Sequence, residues 1–461
     1  MKKLLFETDW LGSQPVFYNV KTDLASKSIN DVIDFTNLEF HPEGFNNFLD
    51  FGYSVLEQTP VINVKFLRHS SRLWQDEKGK LEVEYLEDPV EKWLNFKLSE
   101  EEIIDLIKNR VRSWEQSVEG EIVLPLSGGY DSRLLAWCIK DKSRVRAYTY
   151  GISENQSDSF EVVNAQKLSE ILGFNWQHIS LGDFHQYFDD WDQLFGISTH
   201  AHGMYHIEFY KKILLSTPKG NPFLSGIIGD AWAGSVNIPT MESHIDVLRL
   251  GYTHGMQADS TKSLLGNDRQ LILDYWGANK DRLKDSRFRV IEAMRFKIIL
   301  LCYLRIVPHW IGFNWWSPFI DIDIAMAMLN LPPARKHNRL WQDVFFRKVG
   351  LDLASMNLQA NVENTLDLQA LHRMPVNPLD VNLLKDIFSP DYVEWINRNI
   401  QTSYNSMIDR LIDRLLRVRK IGGALKMIGF REKSTLQLEA YKAYVVLLPI
   451  ERLLHRKEDI N

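Results

Sequence analysis

The feature that most restricts how this chain can fold is an apolar run of strand length, Glu121-Ile122-Val123-Leu124-Pro125-Leu126. It breaks off at a glycine turn and passes into a helical pattern from Arg133 to Lys140. A second strand-like run, Val145 to Tyr150, precedes a helical stretch from Phe160 to Leu172, with Gly173 at its C′ position. Strand, helix, strand and helix in that order predict a parallel sheet with crossover helices, hence an α/β fold.

The rest of the chain divides around that unit. Residues 1–95 carry short strand-like runs between turn residues, among them Pro15 to Tyr18 and Val61 to Phe66. Asp76-Glu77-Lys78-Gly79-Lys80 reads as a hairpin turn leading into the alternating Leu81 to Tyr85. This part is expected to be a small, mainly β domain. At Ser99 the period changes: Ser99 is a helix N-cap before three glutamates, and Ile103, Ile104, Ile107, Val111 and Trp114 recur at helical spacing. Residues 96–461 are therefore expected to form the second domain, largely helical beyond residue 240.

Composition enters by what it removes. The 461 residues hold 54 Lys plus Arg against 60 Asp plus Glu, a net charge of −6, so there is no basic footprint and no nucleic-acid partner is expected. The longest apolar tract, Ile298 to Leu304, ends at Arg305, far short of the ~20 residues of a membrane span. Leu4-Leu5-Phe6 meets Glu7 at once, too soon for a signal peptide. The two cysteines, Cys138 and Cys302, lie in apolar, helix-type segments, as buried thiols of a reduced compartment do. A cytoplasmic protein without membrane contact is expected.

The turn between the first strand and helix, Ser127-Gly128-Gly129-Tyr130-Asp131-Ser132, carries the chemistry. Two glycines let backbone approach a polyanion, and successive amides at a helix N-terminus offer partial positive charge to phosphate. The hydroxyls of Ser127 and Ser132 add donors. Asp131 would repel a phosphate unless a cation lay between them, which implies magnesium. A second apolar strand, Pro222-Phe223-Leu224, runs into Ser225-Gly226-Ile227-Ile228-Gly229-Asp230-Ala231-Trp232-Ala233-Gly234, again a glycine loop with a carboxylate.

The first loop, with neither the lysine of a Walker A sequence nor a GxGxxG spacing, resembles the signature of the PP-loop ATP pyrophosphatases. The second resembles the SGxGxDExxGG segment of asparagine synthetases and β-lactam synthetases. Tyr148-Thr149-Tyr150-Gly151, Trp315 to Asp321 and Leu331-Pro332-Pro333 are similar to further segments of that family, and Asp9 to Tyr18 is similar to a strand from the later half of its N-terminal, Ntn-type glutaminase domain. The resemblance implies a truncated glutaminase-like β domain over 1–95, lacking the cysteine nucleophile, followed by a synthetase domain that binds ATP and Mg2+. It assigns Asp131 and Asp230 to the metal and Leu126, Ser127, Gly128, Gly129 and Ser132 to the phosphates. Tyr148 and Tyr150 fall to adenine, and Ser225, Gly226 and Gly229 to the adenosine and acyl part.

The chain departs from the family pattern in three respects. Ile227 replaces a Glu or Tyr that orients or deprotonates the attacking amine, so a proton acceptor must come from elsewhere. Ile228 and Ala231 replace a glycine and a glutamate. A lysine expected beyond the Trp315 to Asp321 segment is missing between Lys348 and Lys385, where Arg373 is the only cation and the substitute candidate. His200, His202 and His206 lack a recurring zinc spacing and fit the wall of an acceptor pocket or ordinary packing. The expected activity is amide formation through an acyl-adenylate, releasing AMP and pyrophosphate, from a small-molecule carboxylate and an amine or ammonia. The alternatives are amidation of a sugar acid or natural-product carboxylate instead of aspartate, or a non-catalytic ATP-binding relative. A separate amidotransferase is a candidate nitrogen source, and the open edges of half a sandwich suit pairing with another protomer in a homo-oligomer.

Overall fold

Five short strands set the centre of the molecule. A computed structural model describes residues 2–251, 256–266, 269–401, 416 and 432–460. The N-terminal part contains β1 (Lys3–Glu7), β2 (Phe17–Asn19), β3 (Ala25–Ser26), β4 (Val64–Phe66), β5 (Ser71–Gln75) and β6 (Leu81–Tyr85). These form two separate antiparallel sheets, ordered β1-β5-β6 and β3-β2-β4. The expected hairpin is present, with Gln75 opposite Leu81 at its tight end.

The mainly β expectation for this part needs one correction, a helix α1 at Pro42–Phe51. Its ends obey local rules, with Pro42 in the first turn, the His41 ring accepting from the Gly44 amide, and Gly52 left-handed at φ 77°. Its middle, with Gly44, Asn46 and Asn47, has poor helix propensity. Burial holds it: Phe45, Phe48 and Leu49 are fully enclosed.

Beyond residue 95 the sequence expectations hold closely. Helix α2 (Glu100–Ser117) starts in a reciprocal capping box, Ser99 Oγ accepting from Glu102 N and Glu102 from Ser99 N. Strand β7 (Ile122–Pro125) leads into helix α3 (Tyr130–Cys138), which begins three residues before the helical periodicity at Arg133 and so draws Asp131 and Ser132 into its first turn. There follow β8 (Val145–Thr149), α4 (Phe160–Leu172) closed by left-handed Gly173, β9 (Asn175–His178), α5 (Phe188–Phe195), α6 (Met204–Ile213), β10 (Pro222–Leu224) and α7 (Gly229–Ala233). Strand β11 (Asn314–Trp316) lies among the helices that fill the rest.

Strands β7 to β11 form one all-parallel sheet in the order β11-β10-β7-β8-β9. The chain grows from β7 outward through β8 and β9, then crosses to the other side for β10 and β11. The direction of winding therefore reverses between β7 and β10, and at such a switch point the connections leave a crevice beyond the carboxyl ends of the strands. Ile122, Val123, Leu124, Phe223 and Leu224 are buried beneath it. One apolar cluster continues from this sheet across residue 95 to Trp10, Phe17 and Phe48. No helix among the described residues is long and apolar enough to cross a membrane.

Replacing the α2 cap, Ser99→Ala should cost about 1 kcal/mol of stability, since the Glu102 amide loses its side-chain acceptor. Urea unfolding of the two proteins checks this, and an unchanged midpoint would contradict it.

Candidate functional site

Because β7 and β10 are neighbours, the two glycine loops that follow them stand side by side over the switch point. Contact between them is close. A Cβ on Gly229 would fall 3.0 Å from Asp131 Cγ, and one on Gly226 would fall 3.4 Å from Asp131 Cβ. On its other flank the first loop rests on α4: Gly128 has φ 67°, and a Cβ there would meet Asn164 Cβ at 2.4 Å. Glycine is required at 128 for both reasons.

The first loop is held from below. Arg133 donates through Nη2 to the Gly128 carbonyl at 2.7 Å and through Nη1 to the Leu351 carbonyl at 3.0 Å. The Ser127 and Ser132 hydroxyls lie 3.3 Å apart, and the Gly129 amide donates to Ser127 Oγ at 3.3 Å. In the second loop Ile228 is itself left-handed at φ 54°. A β-branched side chain there carries backbone strain of order 1–2 kcal/mol.

Between the loops opens a cavity of about 620 Å³. From the sequence-derived set, Leu126, Ser127, Gly129, Asp131 and Ser132 line it from the first loop. Tyr148 and Tyr150 line it from β8 and the residue after its end, and Ser225, Gly226 and Asp230 from the second loop. Gly128 and Gly229 are not in the wall; they let the loops pack. Arg373 is not in the wall either. It pairs with Asp183, Nε to Oδ1 2.7 Å, with its side chain 62% exposed.

The cation that does line the cavity is Arg339, whose guanidinium lies 4.1 Å from the centre of the Tyr130 ring. Its backbone is left-handed, φ 56°, as is that of Asn338 before it. The sequence carries a signal for it, the basic stretch Arg335-Lys336-His337-Asn338-Arg339, which lies before Lys348 and so outside the interval that holds Arg373. Arg335 is taken by Glu100 and Lys336 by the Leu329 carbonyl, leaving Arg339 to the cavity. A second cation, buried Lys297, feels the Asp230 charge, which opposes the downward push of burial on its pKa.

Asp131 is the electrostatic focus. Burial first, and the Asp230 charge second, push its carboxyl up to about 8 against the pull of Arg339. Its Oδ1 is shut off from solvent and has no hydrogen-bond partner. Asp230 Oδ2 accepts from Ser235 Oγ at 2.8 Å. Two opposed carboxylates, one with an orphaned oxygen, fit a hard divalent cation, and Asp131 and Asp230 are the residues that would hold it.

The histidine triplet does not converge. His202 Nε2 lies 3.0 Å from Asp367 Oδ1, His200 is buried elsewhere, and only His206 reaches the cavity wall. Among the described residues, metal-type ligand atoms gather instead at His69, Asp88 and Glu292. Arg295 already bonds both carboxylates there, at 2.7 and 2.8 Å, and fills the cationic role. Burial pushes both cysteine thiols up, Cys138 to about 12, so neither is a nucleophile. No family model matches the chain.

The Asp131 shift has a consequence for stability. Its folded pKa of about 8 lies above the unfolded value of 3.8, so the native state holds the proton more tightly. The metal-free protein therefore loses stability as pH rises from about 4 to 8. Asp131→Asn cannot titrate, so its stability relative to the parent should climb across that window. Denaturation in EDTA at several pH values reads the difference, and a flat difference would contradict it.

Proposed function

We propose that this chain is an ATP-dependent carbon–nitrogen ligase resembling the asparagine synthetases and β-lactam synthetases. It activates a carboxylate as an acyl-adenylate and passes the acyl group to an amine or ammonia. The observation that carries this reading is the meeting of Asp131 and Asp230 in one cavity beside a glycine loop and a helix N-terminus. Carboxylates so placed repel each other and any phosphate until a cation lies between them. Phosphate with magnesium is the ligand chemistry that turns this repulsion into binding.

In this reading the amides of residues 127–132 and the start of α3 face the β and γ phosphates. A bound magnesium ion, held by Asp131 and Asp230, supplies charge neutralisation on the triphosphate. Arg339 adds positive charge on the cavity wall, in place of the family's lysine. The substrate carboxylate attacks the α-phosphorus, the bond from that phosphorus to the β-bridging oxygen breaks, and pyrophosphate leaves with the electron pair. Arg339 and the loop amides stabilise the charge that develops on it. Tyr148 and Tyr150 border adenine, and Ser225 and Gly226 the adenosine and acyl part. Ile227, where the family has Glu or Tyr, favours a carboxylate other than aspartate, such as a sugar acid or a natural-product precursor. Free ammonia, an amine substrate or a separate amidotransferase supplies nitrogen.

Pyrophosphate-to-ATP isotope exchange with magnesium and a panel of carboxylates tests the reading. The expected result is carboxylate-dependent exchange, AMP as the nucleotide product, and loss of exchange in Asp131→Asn and Asp230→Asn. Arg339→Ala should weaken exchange roughly 10- to 100-fold, the worth of a charge-assisted contact. ADP as product would point to an acyl-phosphate ligase, and ATP binding without exchange to a nucleotide-binding relative that has lost turnover.

A further inference from the structure

The cavity holds charge that the adenylation half of the reaction leaves unused. Its charged lining consists of three carboxylates, Asp131, Asp230 and Glu161, and one guanidinium, Arg339. With the two aspartates assigned to a cation and Arg339 to the phosphates, Glu161 remains, on the first turn of α4. Its Oε2 is shut off from solvent and has no hydrogen-bond partner. His206, on α6, lines the same cavity, is 8% exposed, and has a buried Nδ1 that is likewise without a partner.

Tyr150 links these two groups. Its ring lies edge-on to His206 at 6.0 Å, and the Glu161 charge bears on its hydroxyl. Burial pushes the His206 imidazole down to about 3, so it is neutral and offers an unprotonated ring nitrogen as a hydrogen-bond acceptor. A buried carboxylate oxygen and a buried imidazole nitrogen, both unsatisfied and both on side chains that line one cavity, cost stability unless a ligand with several N–H donors completes them. An anion or a second carboxylate would be repelled by Glu161. A primary ammonium group has the right charge and the right number of donors.

We propose that Glu161 and His206 form the nitrogen subsite, where His206 helps to hold a primary amine or ammonium ion and Glu161 accepts a proton from it as it attacks the acyl-adenylate. This rests on the ligase reading above. The ammonium gives its first proton to Glu161, and the freed lone pair attacks the carbonyl carbon. The carbon–oxygen bond to the phosphate then breaks, with its electron pair leaving on AMP, and the second nitrogen proton passes to the phosphate so released. Acyl-adenylate and ammonium thus yield amide, AMP and two protons. The acceptor that an isoleucine at position 227 cannot provide is supplied from a different helix.

The test separates the two half-reactions, using whichever of aspartate, a uronic acid or an aromatic amino acid supports exchange. Glu161→Gln should leave pyrophosphate exchange within about twofold while lowering amide formation from ammonium chloride or methylamine ~100-fold or more, the usual worth of a general base. Hydroxylamine, uncharged near neutral pH, needs no such base and should still trap the adenylate in this variant. His206→Asn should show the same split, more weakly. Glu161→Asp should recover part of the loss, and a control at exposed Glu154, Glu154→Gln, should change neither half.

Undiminished amide formation in Glu161→Gln would overturn the proposal. So would a parallel loss of exchange and ATP binding, which would put Glu161 at the nucleotide. Absence of exchange with every carboxylate in the unmodified protein would overturn the ligase reading itself, and this inference with it.

Discussion

Two carboxylates forced together in a poorly solvated cavity set the terms for everything around them. Asp131 and Asp230 come from loops about a hundred residues apart in sequence, and each alone would be an unremarkable acid near a helix start. They meet because β7 and β10 are adjacent strands and because Gly226 and Gly229 carry no side chain to hold the loops apart. The resulting repulsion is a standing cost in the metal-free protein, visible in an Asp131 carboxyl pushed up to about 8. The surroundings temper it without removing it. Arg339 stacks on Tyr130, Lys297 sits within reach of the Asp230 charge, and neither fills the space between the acids. In the proposed function, this is the condition that a cation and a bound polyanion would relieve.

Much of this was legible in the sequence, for identifiable reasons. Strand β7 reads directly, because a strand covered on both faces must be apolar throughout, and the glycine turn after it leaves few ways to continue. Helices α2 and α4 were marked at their ends, by the Ser99 capping box and by Gly173, since cap chemistry is local. The first loop announced itself by its glycine pair, and Gly128 proves to be required by its left-handed backbone and its close approach to Asn164 of α4. Helix α1 was not legible, because its propensity is poor and its support is tertiary, through Phe45 and Phe48.

What the sequence hid was everything that depends on which element faces which. Arg373 and Arg339 are equally basic in one dimension. Only the fold commits Arg373 to an exposed pair with Asp183 and turns Arg339, through two successive left-handed residues, onto Tyr130. Glu161 looked like an ordinary acidic residue in a first helical turn, and its role in the cavity arises from α4 packing on the Gly128 loop. The three histidines, so close in sequence, end in three environments because a short helical turn and the start of α6 rotate them apart.

The ion cluster at Arg295 bears on how this molecule can be divided. Arg295 is nearly sealed from solvent, pairs with Asp88 and Glu292, and donates to the Trp10 carbonyl at 2.7 Å, while the Trp10 indole donates to the Ile320 carbonyl at 2.8 Å. A cut near residue 95 would strand a guanidinium and two carboxylates on freshly bared surfaces, where no packed neighbour could replace what was lost. The first ninety-five residues are thus not cargo that a shorter gene could shed. The two parts share one buried ion cluster, so each holds charge partners that the other needs to stay folded.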